Sequence, residues 1–345
     1  MTTSPRPAPG ALPLGAPAAM VGSSQPHVFD CFLFFNEIDL LRARIAYLEP
    51  VVDYFVIVEC AYTFRGQRRE MLFPSVSGSL PVEAERIIYV LVEDLPSEWD
   101  SWAPIERHQR SAIRRGLSTA RPDDVVMVSD IDEIPRRELV AELRASLSGP
   151  VILGLRMTNY YLNLISKRPW NRGTRCVRFR DLTDPDYLRY EKRFPIIPDA
   201  GWHISYLGTI EQLVLKQQSY SHVEYSGERW ISLRHLERSR RLGVRFLGAW
   251  VFQVVPDSEC FPGMPREEFP DYFHPGRSRV QTLLAYPYAL TSSFRKDLPN
   301  WLTDGIPPLA FIVASGFFLR LVLLSRVFRR GWAAQELRDM GYGGF

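Results

Sequence analysis

The first half of the chain alternates predominantly apolar segments with amphipathic ones, and this pattern restricts the fold more than any other feature. The apolar runs are 28–35, 52–59, 86–93 and 125–129. The segments with helical spacing of apolar residues are 38–48, 104–119 and 135–147. Strands that are apolar throughout are typical of parallel sheets covered by helices on both faces. We therefore predict an α/β fold with a mostly parallel sheet.

The second half has a different pattern. Strand-like runs at 151–157 and 174–180 are mixed with aromatic-rich loops, which is typical of an α+β region. The predicted divisions are a disordered tail over 1–27, a main domain over 28–260, an irregular extension over 261–307 and an apolar and basic helical tail over 308–345.

The two ends of the chain bear on localisation. Residues 1–27 are rich in Pro, Ala, Gly and Ser; their prolines interrupt every apolar run, unlike a signal peptide. Near the other end, Arg320 interrupts an apolar run that is otherwise close to the length of a membrane span. Two alternatives stay open for residues 308–330, an interfacial helix anchored by arginines and a helix packed on the main domain.

Cysteine usage and charge limit the partners. The four cysteines are scattered and form no CxxC pair, so we expect a reducing compartment and a cytoplasmic protein. The alternative is peripheral attachment to the inner face of a membrane through 308–330. A formal net charge of +3 is too small to indicate nucleic-acid binding.

The motif VSDIDEIP at 128–135 carries the clearest chemistry. Asp130 and Asp132 follow an apolar strand directly, at the carboxyl edge where parallel sheets bind their ligands. Mg²⁺ and Mn²⁺ prefer oxygen ligands and share the phosphate oxygens of a substrate. We predict a divalent metal held by Asp130 and Asp132, which would offset charge on a leaving diphosphate. The alternative role for these aspartates is capping of the next helix.

Four segments together resemble glycosyltransferase family 17. They are 30–66, 106–117, 128–135 and 199–225, in that order along the chain. The resemblance covers about residues 28–260. It implies a GT-A fold, which is a Rossmann-like nucleotide half with a DxD metal motif joined to an acceptor-side half. It also implies inversion at the anomeric carbon and a UDP-sugar donor, with UDP-N-acetylglucosamine expected.

The acceptor is left open by the resemblance. Animal members of the family have an amino-terminal membrane anchor, and none is expected here. The acceptor classes that we consider are a glycan, a polysaccharide and a lipid-linked saccharide.

Several residues are expected to bind the nucleotide-sugar donor. They are Phe35, Asn36, Glu37, Glu59, Phe64, Arg110, Trp202 and Lys216. The first five follow the first two strands, where acids can accept from ribose or uracil and Phe64 can stack on the base. Arg110 offers a fork of donors to the diphosphate. The alternative roles are helix capping, solvated helix faces and core packing.

The segment 199–225 supplies the remaining candidates. His203 would complete the metal shell or hydrogen-bond the diphosphate, Trp202 would present a flat face to a sugar ring, and Lys216 would neutralise the leaving phosphate. An inverting transfer also needs a carboxylate that removes the acceptor proton. Asp199 and Glu224 are the two candidates, and the sequence does not separate them.

Two other functions compete with sugar transfer. One is non-catalytic binding of a carbohydrate or nucleotide on a degenerate transferase fold. The other is a metal-dependent phosphoesterase, because a strand followed by DxD also occurs in the haloacid dehalogenase group. That group places the motif near the amino terminus, whereas three predicted strands precede it here.

Overall fold

A computed structural model of the chain describes residues 25–64, 66–96, 102–219, 233–245 and 250–293. The strands are β1 (Val28–Phe34), β2 (Tyr54–Cys60), β3 (Ile87–Val92), β4 (Val125–Asp130), β5 (Glu133–Pro135), β6 (Val151–Leu153), β7 (Arg156–Asn159), β8 (Tyr161–Ile165), β9 (Arg175–Arg178), β10 (Ile196–Ile197), β11 (Gly201–Ser205) and β12 (Gln253–Val254). The helices are α1 (Ile38–Leu48), α2 (Phe73–Val76), α3 (Trp102–Ser111), α4 (Arg137–Ser146), α5 (Pro185–Tyr190), α6 (Ile210–Ser219), α7 (Leu233–Leu242) and α8 (Arg279–Ser293).

Seven strands form the central sheet, in the order β10-β6-β9-β4-β1-β2-β3. The four strands β4, β1, β2 and β3 are parallel to one another, whereas β9 is antiparallel to β4 and β6. Apolar residues of α1 and α4 cover one face, and residues 112–117 after α3 cover the other together with Leu188 of α5. The predicted parallel sheet buried on both faces is confirmed.

A second sheet has five strands in the order β12-β8-β7-β11-β5. β11 is antiparallel to β5 and parallel to β7. The chain passes from the first sheet into the second between Asp130, the last residue of β4, and Glu133, the first residue of β5. The acidic motif therefore lies where the two sheets meet.

Two segments of the main domain differ from the sequence predictions. The run 151–157 divides into β6 in the first sheet and β7 in the second. The helix predicted over 104–119 ends at Ser111 and continues as a 3-10 turn to Gly116. A Cβ on Gly116 would lie 2.5 Å from Cγ1 of Val56, so a glycine lets this turn approach the sheet closely.

The predicted irregular extension needs correction. Its described part contains α8, and Phe261, Met264 and Phe273 are buried in the main core. No helix among the described residues is both long and apolar enough to cross a bilayer. The segments 1–24 and 308–345 lie outside the described residues.

Candidate active site

Arg44 of α1 holds the backbone of the acid turn, the name used here for residues 130–133. Its side chain is fully buried. Nη1 donates to the carbonyl oxygens of Asp130, Ile131 and Glu133 at 3.1, 3.0 and 2.8 Å. A turn between two sheets leaves several carbonyl groups without strand partners, and buried carbonyls need donors. One guanidinium therefore fixes the path of the turn.

Asp30 of β1 neutralises the buried charge of the Arg44 guanidinium. Its carboxylate accepts from Nε and Nη2 of Arg44 at 2.8 and 2.6 Å, and both side chains are fully buried. Nη2 also donates to Oγ of Ser129 at 2.7 Å. A buried charge without its partner is strongly destabilising. Neither residue was predicted from the sequence, although an acid inside an apolar strand with an arginine on the following helix is a usable signal.

Asp130 faces two arginines. Its Oδ2 lies 2.9 Å from Nη2 of Arg189, and its Oδ1 lies 3.4 Å from Nη2 of Arg110. Burial acts to raise the pKa of Asp130, but Arg189 and Arg110 outweigh it and hold that pKa well below its usual range. The carboxylate is therefore ionised. Arg110 was predicted to bind the donor diphosphate, and that role stays a prediction; Arg189 was not predicted.

Arg110 and Arg189 are each held by further carboxylates. Arg110 is buried and donates to Glu106 at 2.7 Å and to Asp186 at 2.8 Å. Arg189 donates to Glu133 at 2.7 Å. The two guanidinium groups are thus preorganised on either side of Asp130.

Glu133 supports Arg189 from within the core. Its carboxylate is fully buried and also accepts from Nε1 of Trp170 at 2.8 Å. Burial raises the pKa of Glu133 above its ordinary value, against the opposing effect of Arg189. Glu133 therefore holds Arg189 from a fully buried position at the end of the turn.

Four predicted residues converge on the other side of the turn. Nζ of Lys216 lies 3.1 Å from Oε1 of Glu37 and 3.4 Å from Oδ2 of Asp132. Nε2 of His203 lies 3.6 Å from Oδ1 of Asp132. Burial acts to raise the pKa of Glu37, but Lys216 and backbone donors outweigh it, so the net shift is downward. The start of α1, the acid turn, β11 and α6 each contribute one of these side chains.

The residues predicted to bind the divalent cation are Asp130, Asp132 and His203. The 3.6 Å separation between His203 and Asp132 is too long for a hydrogen bond. Nδ1 of His203 is buried and lacks a hydrogen-bond partner among the described residues. Within the described ranges no three side chains of His, Cys, Asp or Glu are grouped closely enough to hold a metal.

The structure therefore does not bring the three predicted metal ligands into one group. Asp130 is turned towards two arginines, while Asp132 and His203 face each other. Mg²⁺ is commonly bound by one or two carboxylates, with waters and substrate phosphates completing the shell. Asp132 and His203 would offer such a cation one carboxylate and one imidazole, and the described residues group no third ligand with them.

Trp202 is not in the site, and its prediction as a sugar platform is corrected. Its side chain is only 3% exposed. Its ring packs edge-on against Tyr47 at 6.0 Å and at a tilt against Phe261 at 5.5 Å. Successive residues of a strand face opposite sides, so His203 faces the acid turn while Trp202 faces the core.

Asp199 lies at the far end of β11. It is four residues before His203 along the chain and two residues before the strand begins. Its carboxylate accepts from Arg156 at 2.5 Å and from Arg136 at 3.2 Å. Burial opposes the shift, but these arginines lower the pKa of Asp199. A carboxylate paired in this way is a poor proton acceptor. Glu224, the other predicted base, lies outside the described residues.

Glu59 has a full set of partners inside the protein. Its buried carboxylate accepts from Arg69 at 3.1 Å, from the backbone N–H groups of Leu72 and Phe73 at 2.8 and 3.1 Å, and from the Tyr89 hydroxyl at 2.9 Å. These bonds fasten the segment 69–73 to the end of β2. Its predicted contact with a nucleotide remains a prediction.

Most of the other residues predicted to bind the nucleotide-sugar donor lie near the start of α1. The guanidinium of Arg69 lies 4.3 Å over the ring of Phe35. The backbone N–H of Asn36 donates to Oε2 of Glu37 at 3.1 Å. Phe64 is half-buried in the loop after β2. The structure thus brings Glu37, Asp132, His203 and Lys216 together, and it brings Arg110 to Asp130.

Comparison with known proteins gives one family. The model of glycosyltransferase family 17 matches residues 20–266. Over 295 residues the chain is 27% identical to a human protein named beta-1,4-mannosyl-glycoprotein 4-beta-N-acetylglucosaminyltransferase, covering 73% of this chain and 54% of that protein. The rat protein of the same name is 26% identical over 298 residues, covering 73% and 53%. The chain spans about half the length of the curated relatives it matches.

Proposed function

The chain belongs to glycosyltransferase family 17, and from this premise we propose that it transfers a sugar from a nucleotide-sugar donor to a saccharide acceptor at the acid turn. The observation that carries the proposal is the meeting of Glu37, Asp132, His203 and Lys216 beside the carboxyl edge of the parallel strands. Ligands of such sheets bind at that edge. The sheet and its acidic strand end support the GT-A assignment.

The donor diphosphate is proposed to lie along the acid turn, with two arginines at one end and a lysine at the other. Arg110 and Arg189 border the turn at Asp130, and Lys216 borders it at Asp132. Guanidinium groups match phosphate oxygens with paired donors, whereas an ammonium acts as a point charge. Because several carboxylates already hold these cations, little reorganisation is needed when charge develops on the leaving group.

A divalent cation, Mn²⁺ or Mg²⁺, is proposed to be held by Asp132 and His203. When bound, it would supply positive charge to the leaving diphosphate. Asp132 and Glu37 both face Lys216, so this side of the site carries two carboxylates and one ammonium. That excess of negative charge favours a cation. Asp130 is proposed to orient Arg110 and Arg189 and to reach the metal only through water.

The donor sugar and acceptor are proposed from the relatives. The name of these relatives specifies an N-acetylglucosaminyltransferase acting on a mannosyl-glycoprotein. For this chain we propose UDP-N-acetylglucosamine as the donor and a mannose-containing saccharide as the acceptor. Polysaccharide and lipid-linked saccharides are the alternative acceptor classes.

The proton of the acceptor hydroxyl must leave as the new glycosidic bond forms on the face opposite the diphosphate. Glu224 is proposed as the group that takes it, because Asp199 is held between Arg136 and Arg156 at the far end of β11. Glu224 follows α6, the helix that brings Lys216 to Asp132.

The test is hydrolysis of nucleotide sugars by the purified chain without an acceptor. UDP-, GDP- and CMP-sugars are incubated with and without Mn²⁺, and the released nucleotide is measured. We expect Mn²⁺-dependent release of UDP from UDP-N-acetylglucosamine, which Asp132→Asn abolishes. Asp199→Asn is the matched control, since it makes the same change outside the site. No release from any donor, or equal release by Asp132→Asn, would contradict the proposal.

A further inference from the structure

A cavity of about 350 Å³ opens at the amino-terminal end of α6, and the proposed transfer does not use it. Its lining includes Tyr161, Ile210, Glu237, Arg240, Arg241 and His274. Pockets that bind small molecules have volumes of about 300–1,000 Å³. The cavity is therefore large enough for a ligand of modest size.

One wall of the cavity is rigid. The side-chain amide of Asn163 donates to the carbonyl oxygen of His274 at 3.0 Å and accepts from its N–H at 2.7 Å. The ring nitrogens of His274 are engaged with the carbonyl oxygen of Arg241 and the N–H of Gly276. Burial lowers the pKa of His274. His274 is thus a neutral wall residue with both nitrogens in use.

The charged side chains of the cavity come from one face of α7. Glu237, Arg240 and Arg241 are spaced three and four residues apart, so they lie together on the helix surface. The guanidinium of Arg240 lies 4.5 Å over the ring of Tyr161. Its Nε is buried and has no hydrogen-bond partner within the described parts of the chain. A buried donor of this kind is a place for a ligand acceptor atom.

We propose that this cavity binds a pyranose unit of the saccharide acceptor, remote from the unit that reacts. A sugar hydroxyl donates and accepts hydrogen bonds at once, which suits a carboxylate placed beside guanidinium groups. The apolar edge of the ring can rest against Ile210 and Tyr161. Arg240 and Arg241 disfavour a metal cation, and competition with inorganic phosphate distinguishes a sugar site from an anion site.

The distance to the acid turn sets the length of acceptor. Ile210 lines the cavity and Lys216 contacts Asp132; six residues of helix separate them, about 9 Å at the rise of an α-helix. This span corresponds to roughly two pyranose rings. The inference rests on the proposed function, and it specifies acceptors of at least three sugar units.

The experiment measures saccharide binding to the full chain by calorimetry, with linear manno-, gluco- and chito-oligosaccharides of one to six units and no donor. We expect affinity for one series to rise about tenfold between two and four units, the gain from one or two hydrogen bonds to charged groups. Arg240→Gln and Glu237→Gln should remove this rise. Arg234→Gln is the control, an exposed arginine of the same helix outside the cavity lining.

Two results would overturn the inference, namely affinity that does not depend on length and an equal loss in Arg234→Gln. Competition by inorganic phosphate at equal concentration would also overturn it, in favour of an anion site. Donor hydrolysis by the unaltered chain is measured in parallel. Hydrolysis without length-dependent binding removes only the cavity proposal. Binding that depends on Arg240 without hydrolysis of any donor removes the transferase proposal and leaves a saccharide site.

Discussion

The guanidinium of Arg44 and the carboxylate of Asp30 form a fully buried ion pair at 2.6 Å, directly beneath the acid turn. Because Nη1 of Arg44 also reaches three carbonyl groups of the turn, this pair connects β1 and α1 to the position of Asp130 and Asp132. Arg44 is therefore a positioning residue, which is expected to contact neither the nucleotide-sugar donor nor the saccharide acceptor.

Arg44→Lys should impair the site beyond its effect on stability. Lysine keeps the charge but loses the fork of donors, so several hydrogen bonds are lost and unfolding becomes easier by about 3 kcal/mol. Displacement of the acid turn should lower donor hydrolysis about a hundredfold and weaken Mn²⁺ binding. The measurements are urea unfolding, Mn²⁺ titration and hydrolysis at a temperature where the variant is folded.

Arg178→Lys is the matched control for Arg44→Lys. Arg178 is also buried and donates to the carbonyl groups of Leu147, Asp123 and Arg144. It pairs with Val125, at the end of β4 opposite Asp130. We expect a similar loss of stability with hydrolysis within about twofold of the unaltered chain. Equal loss of hydrolysis in both variants would mean that Arg44 contributes only to folding.

Asp132→Asn and His203→Gln should each weaken Mn²⁺ binding at least about tenfold, because ligand loss removes charge or a nitrogen donor from the cation. The effect should be larger when UDP is present, since we expect the diphosphate to complete the shell. Electron paramagnetic resonance of free Mn²⁺ gives the bound fraction. Unchanged binding in His203→Gln would leave His203 as a diphosphate ligand only.

UDP with Mn²⁺ should raise the thermal midpoint more than GDP or CMP with Mn²⁺, because a ligand that binds only the native state stabilises it by mass action. Arg189→Gln should reduce this shift, since Arg189 lies beside Asp130 at the proposed diphosphate site. Arg193→Gln removes an exposed arginine three residues after α5 and serves as the control. Equal shifts with all three nucleotides would contradict a uridine donor.

Asp199→Asn should change stability with a defined pH dependence. Asparagine tolerates the left-handed backbone of this position, where φ is 52°, so the substitution removes mainly the charge. The folded-state pKa of Asp199 is lowered. The stabilisation of the folded state by the ionised Asp199 is therefore fully present above the pKa of about 3.9 in the unfolded chain. It is lost as the pH falls through the lower pKa of Asp199 in the folded state.

The measurement is urea unfolding of both proteins from pH 7 to pH 3. The stability difference should be present at pH 7 and should shrink at the acid end. Donor hydrolysis should be retained by Asp199→Asn. A difference that grows on acidification would contradict the ion-pair account, and loss of transfer with hydrolysis intact would restore Asp199 as the base.

Trp202→Phe should affect the core and leave substrate binding unchanged. The smaller ring leaves space against Tyr47 and Phe261, so we expect a loss of about 1–3 kcal/mol of stability. The KM values for donor and acceptor should stay within about twofold. A large rise in the acceptor KM with little loss of stability would reinstate Trp202 as a sugar platform.

The sequence by itself determined the local features of this protein. Apolar runs and helical spacing placed β1 to β4, α1 and α4 within a few residues, because burial patterns are visible in neighbouring residues. The strand that runs into Asp130 and Asp132 indicated where the candidate site lies. The likeness to family 17 also rested on contiguous segments, and the family match confirmed it.

Only the tertiary structure decided which side chains surround the acid turn. Arg189 lies 59 residues from Asp130 along the chain, and Arg44 lies 86 residues from it, so no local pattern joins them. The tertiary structure also decided which side chains of β11 face the acid turn. Its register with β5 and β7 turns His203 towards Asp132 and Trp202 into the core, and a shift of one residue would exchange them. Register depends on contacts between strands distant in sequence, so the residue pattern of 199–205 could not choose between the two faces.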